Sequence, residues 1–316
     1  MGIPLRAQAL PSAGSPIAGT PAAGPLVPSA RGWRAVTATL SMIKFQHTLF
    51  ALPFAFVGAL LAAGGLPALR QAGWILGAMV GARSAAMLFN RIADLEFDRR
   101  NPRTAGRPLV TGELSLGYAR AALGTSIVLF FVSASMLNRL ALGLAAPALL
   151  LILSYSLAKR WSWLTHLHLG ASLGLAPLGA WIAVRGSIDA PPLLLALAVT
   201  SWVAGFDVIY ACQDVDFDRR ERLHSAPLRF GVARALALSS ALHVLTVLLL
   251  LAMAPLLALG WPWLAGVAGT AALLVYEHRL VKPHDLSRVN QAFFTVNGCV
   301  SFLILAATAT DLWLRG

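Results

Sequence analysis

The chain has 316 residues, of which 58% are hydrophobic and only 12% charged, and its mean hydropathy is +0.72. A soluble domain carries about 25% charged residues because it must cover its surface with them, so a water-soluble globular fold is excluded and the solvent of this chain is lipid. The formal net charge of +12 does not point to nucleic acid, because the basic residues alternate between connections rather than gather in one patch.

Residues 1–31 hold Pro4, Pro11, Pro16, Pro21, Pro25 and Pro28 among Ala and Gly, which leaves no room for a helix. No basic stretch precedes an apolar one there, so the segment reads as a disordered cytoplasmic tail rather than a cleavable signal. Residues 32–45 read as a short interfacial helix that opens the transmembrane domain, 32–316.

Crossing the hydrocarbon core takes about 20 mostly apolar residues in a helix. Nine such runs follow, at 46–64, 72–92, 118–137, 140–157, 164–184, 192–213, 234–252, 255–276 and 291–313. None alternates apolar with polar residues as barrel strands do. The expected fold is therefore all-α and integral to the membrane, with nine transmembrane helices. With nine crossings, 20 of the 25 Lys and Arg fall on one side, four on the other, and Arg83 lies inside a helix. Cytoplasmic loops collect Lys and Arg, which places the N-terminus inside and the C-terminus outside, in a membrane of the bacterial inner or plasma type. Cys212 and Cys299 both fall in these runs and read as buried packing residues.

An internal repeat is the most informative feature. Asp94-Leu-Glu-Phe-Asp98-Arg-Arg100 closes the second run and Asp214-Val-Asp-Phe-Asp218-Arg-Arg220 closes the sixth. Four runs separate the copies, an even number, so both emerge on the same face. The chain reads as two four-helix pseudo-repeats plus a ninth helix, and sites in such proteins commonly lie at the repeat interface.

Residues i and i+4 share a helix face, so Asp94 projects with Asp98 and Asp214 with Asp218. Like charges so close repel, and two matched clusters at a membrane face call for a cation. Hard oxygen ligands suit Mg²⁺, which shares its coordination with substrate phosphates. Asn90, four residues before Asp94, extends the ligand row. Arg91 precedes the first pair and Arg99, Arg100, Arg103 and Arg107 follow it, and most of these basic residues read as topology and headgroup contacts. Lys44 and Lys159 border spans and are the better candidates to hold the remaining charge of a diphosphate.

Two ionisable groups lie deeper. Arg83 is seven residues before Asn90 and Asp207 seven before Asp214, about two turns each. Arg83 reads either as an anchor for a substrate carboxylate or as the ion-pair partner of Asp207. Tyr155, one turn before Lys159, and Tyr210, one turn before Asp214, read as site contacts or as packed interfacial tyrosines. His166, His168, His243 and His278 show no pairing that asks for metal. A transporter for a cation or anionic solute is the rival class. It is disfavoured because the acids sit at helix ends followed by basic loops, whereas transporters break helices at the midplane.

The residues from Asn90 to Asp98, N-R-x-x-D-x-x-x-D, followed by Asn101-Pro-Arg-Thr-Ala-Gly-Arg-Pro-Leu109, resemble the UbiA superfamily of membrane prenyltransferases. Asp207 to Asp218, Tyr155 to Arg160, His166 and the run 176–184 resemble the same superfamily. The resemblance covers the chain from about residue 40 onward. It implies a nine-helix fold, two Mg²⁺-binding motifs facing the cytoplasm, and a groove for the prenyl chain open to lipid. It also implies ionisation of a polyprenyl diphosphate and attack by an electron-rich aromatic acid. The acceptor is 4-hydroxybenzoate in the ubiquinone branch. A similar branch, also written with Lys-Phe-x-His-Thr near the first span (here 44–48), serves menaquinone synthesis with a dihydroxynaphthoate.

Overall fold

Within lipid, every backbone N–H and C=O must find a partner inside the chain, which an apolar segment achieves only as a helix or a closed barrel. The computed structural model describes residues 48–316 and is built from helices. The proposed tail, the interfacial helix and Lys44 lie outside the described residues.

The long helices are α1 (Thr48–Ala63) and α2 (Leu69–Ala93), then, after the short α3 (Leu95–Arg100) and α4 (Pro108–Thr111), α5 (Leu116–Leu137), α6 (Arg139–Ala158), α7 (Thr165–Arg185) and α8 (Ala190–Ala211). A 3₁₀ turn (Cys212–Asp214), α9 (Val215–Arg220) and α10 (Ala226–Phe230) lead to α11 (Val232–Leu256) and α12 (Trp261–Leu280). The chain ends with α13 (Val289–Gln291), a π-helical turn (Ala292–Val296) and α14 (Asn297–Arg315). Each of the nine expected runs coincides with a helix over most of its described residues, the eighth being broken at 257–260. Among the described residues, however, seven helical segments and not nine are long and apolar enough to cross a membrane. The described part of α1 has 16 residues, and α12 carries Glu277, His278 and Arg279 in its last turn. The expected start of the eighth run, at 255, instead falls at the end of α11, and α12 begins after Gly260.

The repeat extends beyond the seven matched residues. In each copy a long helix breaks at the first aspartate, with Asp94 at φ −98°, ψ 9° and Asp214 at φ −101°, ψ 6°. A six-residue helix carrying the second aspartate follows. Next comes a short helix with proline in its first turn, Pro108 or Pro227. A glycine then turns the chain into the next long helix, Gly112 at φ 82° and Gly231 at φ 80°. That left-handed conformation suits glycine because it has no Cβ to clash.

The helices α1 and α7, which open the two halves, pack on each other, α8 packs on α7 and α11, and α14 closes the bundle against α12 and α1. Small residues permit this where apolar area gives no driving force. A Cβ on Gly170 of α7 would lie 2.2 Å from the Thr200 carbonyl oxygen of α8. The core includes Phe54, Trp202, Phe206 and Trp263. One buried polar node crosses it: Trp202 Nε1 donates to Asn297 Oδ1 at 2.8 Å, and Asn297 Nδ2 donates to Glu277 Oε1 at 2.9 Å. Asn297 follows the π-helical turn and also donates to the carbonyl oxygens of Ala292 and Phe293. Cys212 is buried as expected, but Cys299 is exposed on α14, so the reading of two buried cysteines fails for the second.

Candidate active site

The breaks at Asp94 and Asp214 bring the ends of α2 and α8 to one cavity of about 300 Å³. Asn90, Asp94, Asp98, Asp207, Tyr210, Asp214 and Asp218 all line it, with Arg83, Tyr155 and Lys159. Every site residue singled out from the sequence within the described region is therefore at this one place.

The two aspartates of each motif are not equivalent. Asp98 and Asp218, inside the six-residue helices, are buried at 7% and 1% exposure, whereas Asp94 and Asp214 at the breaks are half-buried. Asn90 turns its amide nitrogen to Asp94 Oδ2 at 2.8 Å. Asp94 lies just past the end of α2, where burial and then the charge of Asp98 raise its pKa above the usual carboxylate value, against the pull of Arg160.

A cation answers each of these four aspartates. Arg160 reaches Asp94 at 3.4 Å, and Lys159 reaches Asp218 at 3.6 Å. Arg91 lies 3.7 Å from Asp98, and Arg107 donates to the same oxygen. Arg103 donates to Asp214 at 3.0 Å and to the Tyr210 hydroxyl at 3.4 Å, and Arg100 pairs with Glu221 at 2.9 Å. Arg103, Arg107 and Arg160 therefore bind carboxylates directly, beyond the topological role read from the sequence. Arg160–Asp94, Arg103–Asp214 and Arg100–Glu221 join residues more than 60 positions apart, which no helical spacing encodes.

The donor set fits a hard divalent cation. It consists of carboxylate oxygens and an amide, without thiols or imidazoles at the centre, which is the chemistry of Mg²⁺. Asp218 Oδ2 is buried with no hydrogen-bond partner, an arrangement that is unfavourable unless something positive meets that oxygen. As they stand, the carboxylates are turned to their Arg and Lys partners, and among the described residues no three acidic, His or Cys side chains surround a common point.

Arg83 and Asp207 do not form the ion pair that their matched depths allowed. Asp207 Oδ2 instead lies 2.7 Å from His166 Nδ1. Arg83 makes no ion pair among the described residues, and its Nε is buried without a hydrogen-bond partner. The sequence left His166 unassigned because it lies 41 residues from Asp207 and on another helix. His243 and His278, also unassigned, lie 3.0 Å apart away from this cavity.

A second cavity, of about 440 Å³, lies between α2, α5, α6 and α7. Its walls are almost wholly apolar, with Ala78, Ala82, Phe130, Ala148 and Ala176 among them. Arg83, Tyr155, Leu169 and Leu173 line both cavities, so one polar and one apolar compartment meet at Arg83 and Tyr155.

Comparison with known proteins agrees with this architecture. The chain is 34% identical over 241 residues to the 4-hydroxybenzoate octaprenyltransferase of Aeromonas salmonicida (strain A449), covering 75% of this chain and 82% of that protein. The apo structure of a UbiA homolog from Aeropyrum pernix K1 superposes with a TM-score of 0.77 at 39% identity, over 85% of this chain and 98% of that one. A UbiA homolog from Archaeoglobus fulgidus bound to GPP and Mg²⁺ shares the fold, with a TM-score of 0.70 at 22% identity over 87% and 99%. Residues 51–299 match the model of the UbiA prenyltransferase family. The chain is an integral membrane protein and belongs to the UbiA prenyltransferase family.

Proposed function

We propose that this enzyme transfers a polyprenyl chain from polyprenyl diphosphate to 4-hydroxybenzoate in a Mg²⁺-dependent reaction, the prenylation step of ubiquinone synthesis. The observation that carries this reading is the meeting of a carboxylate-lined, cation-ringed cavity with a larger apolar one. A diphosphate belongs in the first and its hydrocarbon tail in the second. The relatives named for 4-hydroxybenzoate support the acceptor, as does Arg83, which is half-buried between the two cavities, makes no ion pair among the described residues and has a buried Nε with no hydrogen-bond partner. Such a group suits an acceptor carboxylate.

Asp94, Asp98, Asp214 and Asp218, with Asn90, would hold the cation. Bound there, Mg²⁺ neutralises charge as it builds on the departing diphosphate. Lys159, with Lys44 from outside the described region, would donate to the phosphate oxygens. Breaking the allylic C–O bond leaves a delocalised cation, which the phenol ring attacks. Tyr155 and Tyr210 would line its path, and the apolar walls exclude water that would otherwise quench it. Arg83 would anchor the acceptor carboxylate, and Asp207 would face the ring. The sorting of basic residues favours a site on the cytoplasmic face, with the C-terminus on the other side.

The test uses membranes containing the protein, Mg²⁺ and a polyprenyl diphosphate, with 4-hydroxybenzoate and 1,4-dihydroxy-6-naphthoate in separate reactions. Prenylated 4-hydroxybenzoate, detected by mass, is expected. Product from the naphthoate alone would move the enzyme to menaquinone synthesis, and product from neither would overturn both acceptors.

A further inference from the structure

His166 sits in the first turn of α7, 2% exposed, and both ring nitrogens are engaged. The backbone N–H of Ala226, in the first turn of α10, donates to Nε2 at 3.2 Å. An acceptor nitrogen carries no proton in the neutral ring, so the proton is on Nδ1, and Nδ1–H points at Asp207 Oδ2, 2.7 Å away. The hydrogen bonds on the two sides thus select one tautomer. The Ala226 N–H is a helix-end donor with no partner inside its own helix, so this arrangement also satisfies a buried backbone group.

Asp207 lines the polar cavity with its side chain 21% exposed. It lies seven residues before Asp214 on α8 and makes no ion pair with Lys or Arg among the described residues. Every other aspartate lining the cavity has such a cation beside it. A carboxylate with no Lys or Arg beside it, held through one oxygen by an N–H donor, keeps a fixed direction toward something in the cavity. On the reading proposed above, prenylation of an aromatic ring needs such a group. The allylic C–O electron pair leaves with the diphosphate, the ring carbon forms the new C–C bond, and the ring must then lose one proton to restore aromaticity.

We infer that Asp207 accepts that ring proton and that His166, locked as the Nδ1–H tautomer by Ala226, is the positioning residue that aims it. The inference rests on aromatic prenylation being the reaction. It assigns to α10 and its preceding loop a role in the chemistry, because Ala226 there sets which nitrogen of His166 carries the proton.

The experiment compares wild type, His166→Ala and His166→Asn in membranes, using 4-hydroxybenzoate either unlabelled or deuterated at the ring carbons beside the hydroxyl. Positioned proton transfer contributes about 10²–10⁴-fold, so partial loss of aim in His166→Ala is expected to lower kcat by about 10–100-fold, with KM for polyprenyl diphosphate unchanged. Ring deuteration is expected to leave the wild-type rate unaffected but to slow His166→Ala, because proton loss becomes rate-limiting. The Asn amide nitrogen can take the place of Nδ1, so His166→Asn is expected to recover most of kcat and to lose the isotope effect. An unchanged kcat in His166→Ala overturns the inference. So does an equal loss in both variants without an isotope effect, which marks His166 as structural or places the proton on the diphosphate. A wild-type protein that prenylates no aromatic acid removes the reading itself, and is distinguished because the failure precedes any substitution.

Discussion

Arg103 leaves the first aspartate motif and donates from Nη2 to Asp214 Oδ2 of the second, 3.0 Å away and 111 residues on. The guanidinium spans the two halves of the molecule over the ring of Tyr210, 5.8 Å from its centroid. Asp214 thus has a cation partner before any metal arrives, and diphosphate binding would take that guanidinium from carboxylate to phosphate. Because the Arg103 side chain is 44% exposed, the pair adds little to stability, about 1 kcal/mol at most. Arg103→Ala is expected to raise KM for the polyprenyl diphosphate about tenfold, the value of one charged hydrogen bond, with an unchanged thermal midpoint. Steady-state kinetics beside a melting curve check this, and a large drop in the midpoint would make the pair structural.

The aspartates themselves should behave differently. Asp94→Ala or Asp214→Ala removes one of the proposed cation ligands and is expected to reduce turnover by about 10²–10³-fold or more, the scale of losing one electrostatic contact to the transition state. The variants should still reach the membrane, since membrane residence depends on the apolar helices. Product formation, normalised to the amount of protein in the membrane, is the measurement. Near-normal rates in either variant would sink the ligand assignment.

Metal removal should stop the reaction without unfolding the protein. Each aspartate of the two motifs already has an Arg or Lys beside it, so the empty carboxylates are not left as a bare cluster of like charge. A chelator is expected to abolish product formation, Mg²⁺ to restore it, and the melting curve of the chelated protein to stay cooperative. Loss of the folded state on chelation would mean that these ion pairs do not substitute for the metal.

Arg83 permits a test in which function and stability should separate. A half-buried charge with no ion-pair partner contributes little to stability, so Arg83→Met, which keeps much of the side-chain volume, is expected to leave the thermal midpoint unchanged or higher. The same change is expected to raise KM for 4-hydroxybenzoate about 10–100-fold, the value of a charged hydrogen bond to its carboxylate, with KM for the diphosphate unaltered. Acceptor and donor titrations on one preparation decide it; an effect on the donor alone would move Arg83 to the diphosphate.

The polar node of Trp202, Asn297 and Glu277 is expected to act on stability alone. Asn297→Leu leaves the Trp202 N–H and a Glu277 oxygen unsatisfied in the core, at about 1–3 kcal/mol for each buried group. A clear fall in the melting midpoint with unchanged KM values is the expected result, and altered KM values would connect the node to the site.

The sequence by itself determined the solvent, the helices and the two acidic motifs. A chain with 12% charged residues must lie in lipid, lipid forces helices, and a helix places residues four apart on one face. The motif repeat also fixed which helix ends share a side. These are local or periodic properties, written in neighbouring residues. Only the tertiary structure decided which cation meets which carboxylate, that Asp207 pairs with His166 rather than Arg83, and that an apolar cavity adjoins the polar one at Arg83 and Tyr155. Those contacts depend on how far neighbouring helices slide and at what angle they cross. The small residues and apolar faces that set this packing attract without direction, so the order of residues along one helix does not record which atom of another it will meet.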